Sequence, residues 1–186
     1  MPTLKVICRD HGLWRARTGS AKYHDDEAFE CVISYCIRPE KTPTDWIGGF
    51  GVNINQAAFE MKRLAKAYGK ESGLRLRHMV LSFSAEETKQ LGAHALETIY
   101  KIAAYAAGYY GMEYQIIYAV HEDAKNYHVH FVVNTVSFLD GKKYRGDKGD
   151  YYRFQAYLGS FLQEYYNLSL RVCSDRAQAS QEEKCI

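Results

Sequence analysis

The chain contains only 3 prolines in 186 residues, and no stretch approaches the roughly 20 apolar residues of a membrane-spanning helix. A Pro-rich linker, a low-complexity segment and a transmembrane span are thereby excluded. Cysteine is sparse and scattered: Cys8, Cys31, Cys36, Cys173 and Cys185 form no C-x-x-C pair, which argues against a disulfide framework and against a thiolate zinc site. Charge of one sign is also lacking. Lys and Arg number 24 against 22 Asp and Glu, a formal net charge of +2, so the surface is not uniformly basic and any nucleic-acid contact has to be local. The opening MPTLKVICRDHGLWR has no apolar run suited to a secretory signal, and the expectation is a soluble cytoplasmic protein with no membrane insertion.

What is abundant is aromatic: 16 Tyr and 8 Phe within a 47% hydrophobic composition. That is enough to bury the core of one globular domain. Tyrosine can pack, stack on bases or act as a nucleophile, and composition does not choose among these uses. The expected organisation is a single domain over 1–173, followed by a loose polar tail, SDRAQASQEEKCI, over 174–186.

Periodicity predicts an α+β fold, a central antiparallel sheet flanked by helices. EAFECVISYCI places Phe29, Val32, Ile33 and Cys36 at helical spacing, and Pro39 ends that helix just after Tyr35. A second helix is expected from Asn55 to Gly69 or Gly73, with Lys62, Arg63, Lys66 and Lys70 on a solvated face. RLRHMVLSFS reads as a strand, and S-A-E-E at Ser84 as the capped start of one long helix reaching Tyr109. YQIIYAVH and HVHFVVNTVSF, separated by EDAKNY, suit a β-hairpin. YYRFQAYLGSFLQEYY then reads as a final amphipathic helix that buries Phe154, Tyr157, Leu158, Phe161, Leu162 and Tyr165.

The most informative segment is H-E-D-A-K-N-Y-H-V-H, His121 to His130. Strand alternation points His128 and His130 the same way, with Val132 and Asn134 continuing that face, while Val129, Phe131 and Val133 enter the core. The hairpin brings His121 back beside them, and three imidazoles around one point make a metal site with open positions. Asp123 is placed to fix a histidine tautomer and Asn134 to hold a ligand or phosphate from the same face. The bland alternative is a hairpin end whose histidines merely hydrogen-bond one another.

Two motifs together resemble the relaxases of mobilisable plasmids and conjugative elements, the MobA/MobL and VirD-type members of the HUH endonuclease superfamily. His121 to Asn134, H-E-D-A-K-N-Y-H-V-H-F-V-V-N, is similar to their H-x-D, short gap, H-x-H and Asn. Val32 to Thr42, V-I-S-Y-C-I-R-P-E-K-T, is similar to their helix-borne Y-I-x-N-P-E-K-T. Arg77 to Ser84, R-H-M-V-L-S-F-S, looks like their serine-bearing strand. The resemblance covers about Phe29 to Gly141. Arg38 departs from it, standing where Asn is usual, and so does the longer polar stretch before Glu30.

The resemblance implies nicking of single-stranded DNA at an origin of transfer, with a 5′-phosphotyrosyl intermediate that is later rejoined. It also implies accessory mobilisation proteins and a coupling protein as further partners. In that chemistry Tyr35 is the nucleophile and Tyr23 the runner-up. A divalent ion on His121, His128 and His130 is expected to be Mg or Mn in the cell, with Zn, Ni or Co able to fill the site in vitro. Candidate DNA contacts are Arg38, Lys41, Arg77, Ser82, Ser84, and the loop of Lys142, Lys143, Tyr144 and Arg145, which follows the histidine strand. Arg75 and His78 extend the Arg77 cluster. Two other readings stay open. A rolling-circle initiator or transposase of the same superfamily would carry its tyrosine C-terminal to the histidines, at Tyr151 or Tyr152, and a catalytically dead module would only bind DNA. A cupin-type barrel is disfavoured by the absence of a carboxylate after His130 and by the Ala-rich helical segment.

Overall fold

Two long apolar runs, YQIIYAVH and HVHFVVNTVS, have no polar alternation, the pattern of strands covered on both faces. In the computed structural model, which describes residues 1–7, 22–122, 126–144 and 146–172, they lie at the centre of a six-stranded sheet. The strands are β1 (Thr3–Ile7), β2 (Ile47–Phe50), β3 (Leu76–Ser82), β4 (Tyr114–His121), β5 (His128–Ser137) and β6 (Arg171–Val172). Their spatial order is β2-β4-β5-β3-β1-β6, antiparallel throughout except for the parallel β1–β6 pair. The α+β architecture is therefore as expected. The tail 174–186 lies outside the described residues.

The helices are α1 (Glu27–Cys36), α2 (Ala57–Ala67), α3 (Ala85–Leu91), α4 (Ala95–Gly111) and α5 (Lys148–Tyr166). On one face of the sheet Met79, Leu81, Phe131 and Val133 pack under Ile99, Ile102 and Ala106 of α4 and Phe154, Leu158 and Leu162 of α5. On the other, Leu76, Ile117 and Val132 pack under Phe29, Val32 and Ile33 of α1 and Met61 of α2. Val132 is thus core as fully as its neighbours, and the histidine face closes over within two residues of His130. No helix among the described residues is long and apolar enough to cross a membrane.

Four expectations are corrected. The long helix from Ser84 is two helices. Ser84 caps α3 in a reciprocal box with Glu87, and Gly92, at φ 80°, ends it in a backbone conformation that a β-carbon would strain. Apolar periodicity runs across that break, which is why it reads as continuous. The second helix begins as a 3₁₀ turn, Ile54–Gln56, capped by Asn53 accepting from the Asn55 N–H at 3.0 Å, and becomes α-helical only at Ala57. The last helix starts earlier, at Lys148, because the Asp147 carboxylate accepts from the Asp150 N–H at 2.7 Å. Tyr165, expected in the core, is 63% exposed, its ring lying on Phe161 one turn back, 4.9 Å between centroids.

Candidate functional site

In the β4–β5 hairpin His121 faces His128 in register, and Ala119 faces His130. Directly opposed residues share a face, so the three imidazoles converge. Ring centroids are 4.4 Å apart for His121 and His130, 5.0 Å for His121 and His128, and 5.1 Å for His128 and His130. One nitrogen from each lies within 4.8 Å of the others.

The hydrogen bonds decide which nitrogens these are. A carbonyl only accepts, so His121 donates Nε2–H to the Cys36 carbonyl at 2.7 Å and keeps its lone pair on Nδ1. By the same logic His128 donates Nδ1–H to the Asn126 carbonyl at 3.2 Å and keeps its lone pair on Nε2. His130 Nδ1 is 2.8 Å from His78 Nε2, and the buried His130 Nε2 has no hydrogen-bond partner among the described residues. Burial, then the neighbouring His78, His121, His128 and Lys41, hold His130 well below the usual imidazole pKa, in the neutral form a metal requires. Three imidazoles whose ligand atoms lie within 4.8 Å of one another, with the buried Nε2 of His130 lacking a hydrogen-bond partner among the described residues, fit a divalent ion.

A second trio, Cys36, His78 and His130, is also close together. Its nitrogens are already joined by the 2.8 Å hydrogen bond, and burial pushes the Cys36 thiol pKa up, away from the thiolate a metal would need. This trio is a hydrogen-bonded support rather than a binding site.

Tyr35 stands in the last turn of α1, whose apolar stripe seats the helix over the sheet. Its ring is 5.4 Å from that of His130 and 5.9 Å from that of His121, yet the residue is 40% exposed. Ile33, two residues earlier, is buried, while Tyr35 projects to the rim. The R-P-E-K-T segment explains the seating. Lys41 and Thr42 N–H groups donate to the Arg38 carbonyl, and the Thr42 hydroxyl donates to Val120 O at 3.0 Å, pinning the turn to the end of β4. The Arg38 guanidinium then lies 4.3 Å from the Tyr35 ring centroid and the Lys41 ammonium 5.7 Å from it. Two cations therefore adjoin the phenol.

The other sequence candidates divide. Ser82 faces His128 across the β3–β5 pair and lies on the histidine side. Ser84 spends its hydroxyl on the α3 cap. Asn134 is fully buried, its amide donating to Met61 O and Gln115 Oε1 and its oxygen accepting from the Val136 N–H, so it braces the sheet away from the histidines. Asp123 and Arg145 lie outside the described residues. Tyr23 is buried and its hydroxyl is 3.1 Å from His78 Nδ1, behind the site rather than at its mouth.

Arg77 points to the opposite face of the sheet, against the rings of Tyr110, Tyr144 and Tyr151. The loop at 142–144 is also misplaced by reading along the chain. Lys143 bridges to Val136 and the Tyr144 N–H donates to Thr135 O, which puts the loop at the far end of β5, roughly 17 Å of strand rise from His130. There Lys142 pairs with Asp140 at 2.7 Å, Lys143 donates to Ser72 O, and Tyr144 donates to Asp150. His78 is the residue that reading missed. Grouped by sequence with Arg75 and Arg77, it sits on the histidine face through β3–β5 pairing, with burial, then the Lys22 and His121 charges, pushing its pKa down to about 3.

Residues 35–166 match the family model described as Relaxase: MobA/VirD2-like, nuclease domain. Two similar proteins, both named Protein rlx and from Staphylococcus aureus, are 29% and 31% identical over 102 and 105 residues, each alignment covering 54% of this chain. The aligned stretch spans only 29% and 30% of those relatives' own lengths. No solved structure matches.

Proposed function

The chain belongs to the MobA/VirD2-like relaxase nuclease-domain family, and on that premise we propose that it nicks single-stranded DNA at an origin of transfer, with Tyr35 as the nucleophile. One observation carries this reading: a rim-exposed tyrosine whose ring lies beside those of His121 and His130 and within 6 Å of the Arg38 and Lys41 cations. Tyr35 Oη forms a bond to the scissile phosphorus as the bond to the 3′-oxygen breaks. The phenol loses its proton, the departing oxygen gains one, and the 5′-phosphotyrosyl ester conserves the bond for rejoining. A phenol is a weak nucleophile, and the positive charges of Arg38 and Lys41 favour binding of the phosphate it attacks and the negative charge that builds up on that phosphate in the transition state. His121, His128 and His130 would hold a divalent ion, Mg or Mn in the cell and Zn, Ni or Co in vitro, which when bound polarises the phosphate. Partners in this reading are the origin strand, accessory mobilisation proteins and a coupling protein.

Support for transfer over a replication-initiator chemistry comes from the tyrosines. Tyr151 packs against Arg77 on the opposite face of the sheet, whereas Tyr35 is at the histidines. The test is mass spectrometry of protein trapped on a single-stranded origin oligonucleotide. The expected adduct is on Tyr35, and Tyr35→Phe gives none; an adduct that persists in Tyr35→Phe overturns the assignment.

A further inference from the structure

His130 is buried, its Nε2 has no hydrogen-bond partner among the described residues, and its other nitrogen is not left to solvent. Its Nδ1 lies 2.8 Å from Nε2 of His78, and Nδ1 of His78 lies 3.1 Å from the Tyr23 hydroxyl. The His78 and His130 rings stack with centroids 5.1 Å apart and planes 29° from parallel. His78 reaches this position because it faces Val132 in the β3–β5 pair, one step along the same face from Val80, which faces His130.

The directions of the bonds follow from the chemistry of neutral imidazole, which has one donor and one acceptor. For His130 to offer Nε2, its proton must sit on Nδ1 and be donated to His78 Nε2. His78 then carries its own proton on Nδ1 and donates it to the Tyr23 oxygen. Each group in the chain is buried, so each bond that is not made leaves a polar atom stranded.

Tyr23 is held there at a conformational cost. Its φ is 64°, the left-handed region that a bulky side chain rarely adopts, and its carbonyl is tied down by the Arg75 N–H at 2.7 Å. Arg75, itself buried, pairs with Asp26 at 2.9 Å just ahead of α1, so the segment bearing Tyr23 is fastened to the helix that carries Tyr35. Such a backbone persists only when its surroundings over-determine it.

From this geometry we infer that His78, anchored by the Tyr23 hydroxyl, is a positioning residue that fixes the tautomer and ring orientation of His130 for metal binding. The inference rests on the metal-site reading above and adds to it a histidine–tyrosine support that touches neither DNA nor ion. Outer groups of this kind change metal affinity by roughly 10- to 100-fold.

The experiment has two readouts on the full chain. In metal-free protein, long-range nitrogen–proton NMR reports the His130 tautomer. Wild type is expected wholly Nδ1-protonated, His78→Phe a mixture, and His78→Gln, whose amide oxygen can accept in place of Nε2, mostly Nδ1-protonated again. Cobalt(II) titration followed by its visible absorption is the second readout. His78→Phe is expected to bind about 10- to 100-fold more weakly, with His78→Gln recovering most of the loss. An unchanged tautomer and affinity in His78→Phe, or no recovery in His78→Gln, overturns the inference. Tyr23→Phe decides if His78→Phe fails to fold: it is expected to weaken cobalt binding in the same direction, and wild-type affinity with an unaltered His78 tautomer overturns the anchoring. A wild-type protein with the His130 tautomer fixed but no cobalt binding refutes the metal site while upholding the positioning.

Discussion

Lowering the pH of the metal-free protein should destabilise it well before its carboxylates titrate, and His78 sets the size of the effect. In the unfolded chain its pKa returns to 6.5, while burial, with the Lys22 and His121 charges, holds it at about 3 in the folded protein. The folded pKa is depressed, so the native state favours the neutral ring; the stability this confers is present above pH 6.5 and is lost as pH falls toward the folded value. Between these pKa values the unfolded chain binds up to one more proton, a slope approaching about 1.4 kcal/mol per pH unit. Going from about pH 7.5 to about pH 4.5 therefore removes about 3 kcal/mol through this residue alone, a large share of a typical domain's stability. His130, also depressed, adds a loss of the same sign. Denaturant melts in chelator at several pH values measure it, and His78→Gln isolates it because a glutamine does not titrate. The expected result is a shallower fall in the variant, the two curves converging by about 3 kcal/mol as pH drops. Parallel curves would refute the claim that His78 is buried neutral, and with it the burial geometry on which the argument stands.

Two further outcomes test the layout of the site. Arg38→Ala should slow nicking about 10-fold, roughly 1.4 kcal/mol of barrier, with its melting temperature within about 2 °C of wild type, since Arg38 lies over the Tyr35 ring and not in the core; an unchanged single-turnover rate would remove it from the site. Asp150→Ala should do the reverse. Tyr109 and Tyr110 donate to that carboxylate at 3.0 and 3.4 Å and Tyr144 donates to it as well, so the variant should lose about 2–3 kcal/mol in urea melts while keeping wild-type cobalt affinity; weakened cobalt binding would mean that this far face is coupled to the histidines.

What could be read from the chain follows the range of the interactions. The β4–β5 pairing and the convergence of His121, His128 and His130 are local, fixed by a six-residue connection and by period-two alternation, and they were legible. So was the end of α1 at Cys36, imposed by Arg38-Pro39. The break at Gly92 was hidden because apolar spacing continues on both sides of it, and only a backbone angle reveals it. The basic loop was misplaced because adjacency in sequence is not adjacency in space. A strand of ten residues carries the chain from one end of the sheet to the other, so a loop that follows β5 is far from residues that begin it. His78 was out of reach for a related reason: its role depends on β3 lying beside β5, a non-local pairing that neither strand's own pattern encodes.

The same distinction reinterprets the P-E-K-T motif. In sequence it follows the tyrosine and invites a reading as a DNA-contacting stretch. In space its threonine is spent on Val120 and its lysine carbonyl accepts from the Glu122 N–H, both at the hairpin end that bears His121. Cys36 O closes the circuit by accepting from His121 Nε2–H. The turn therefore fixes the distance between the phenol of α1 and the imidazoles of β4 and β5, and it leaves Arg38 over the ring as a by-product of that docking. Two stretches separated by some 80 residues are tied together because a side chain of each donates to a backbone carbonyl of the other, His121 to Cys36 O at the end of the helix and Thr42 to Val120 O near the end of the strand.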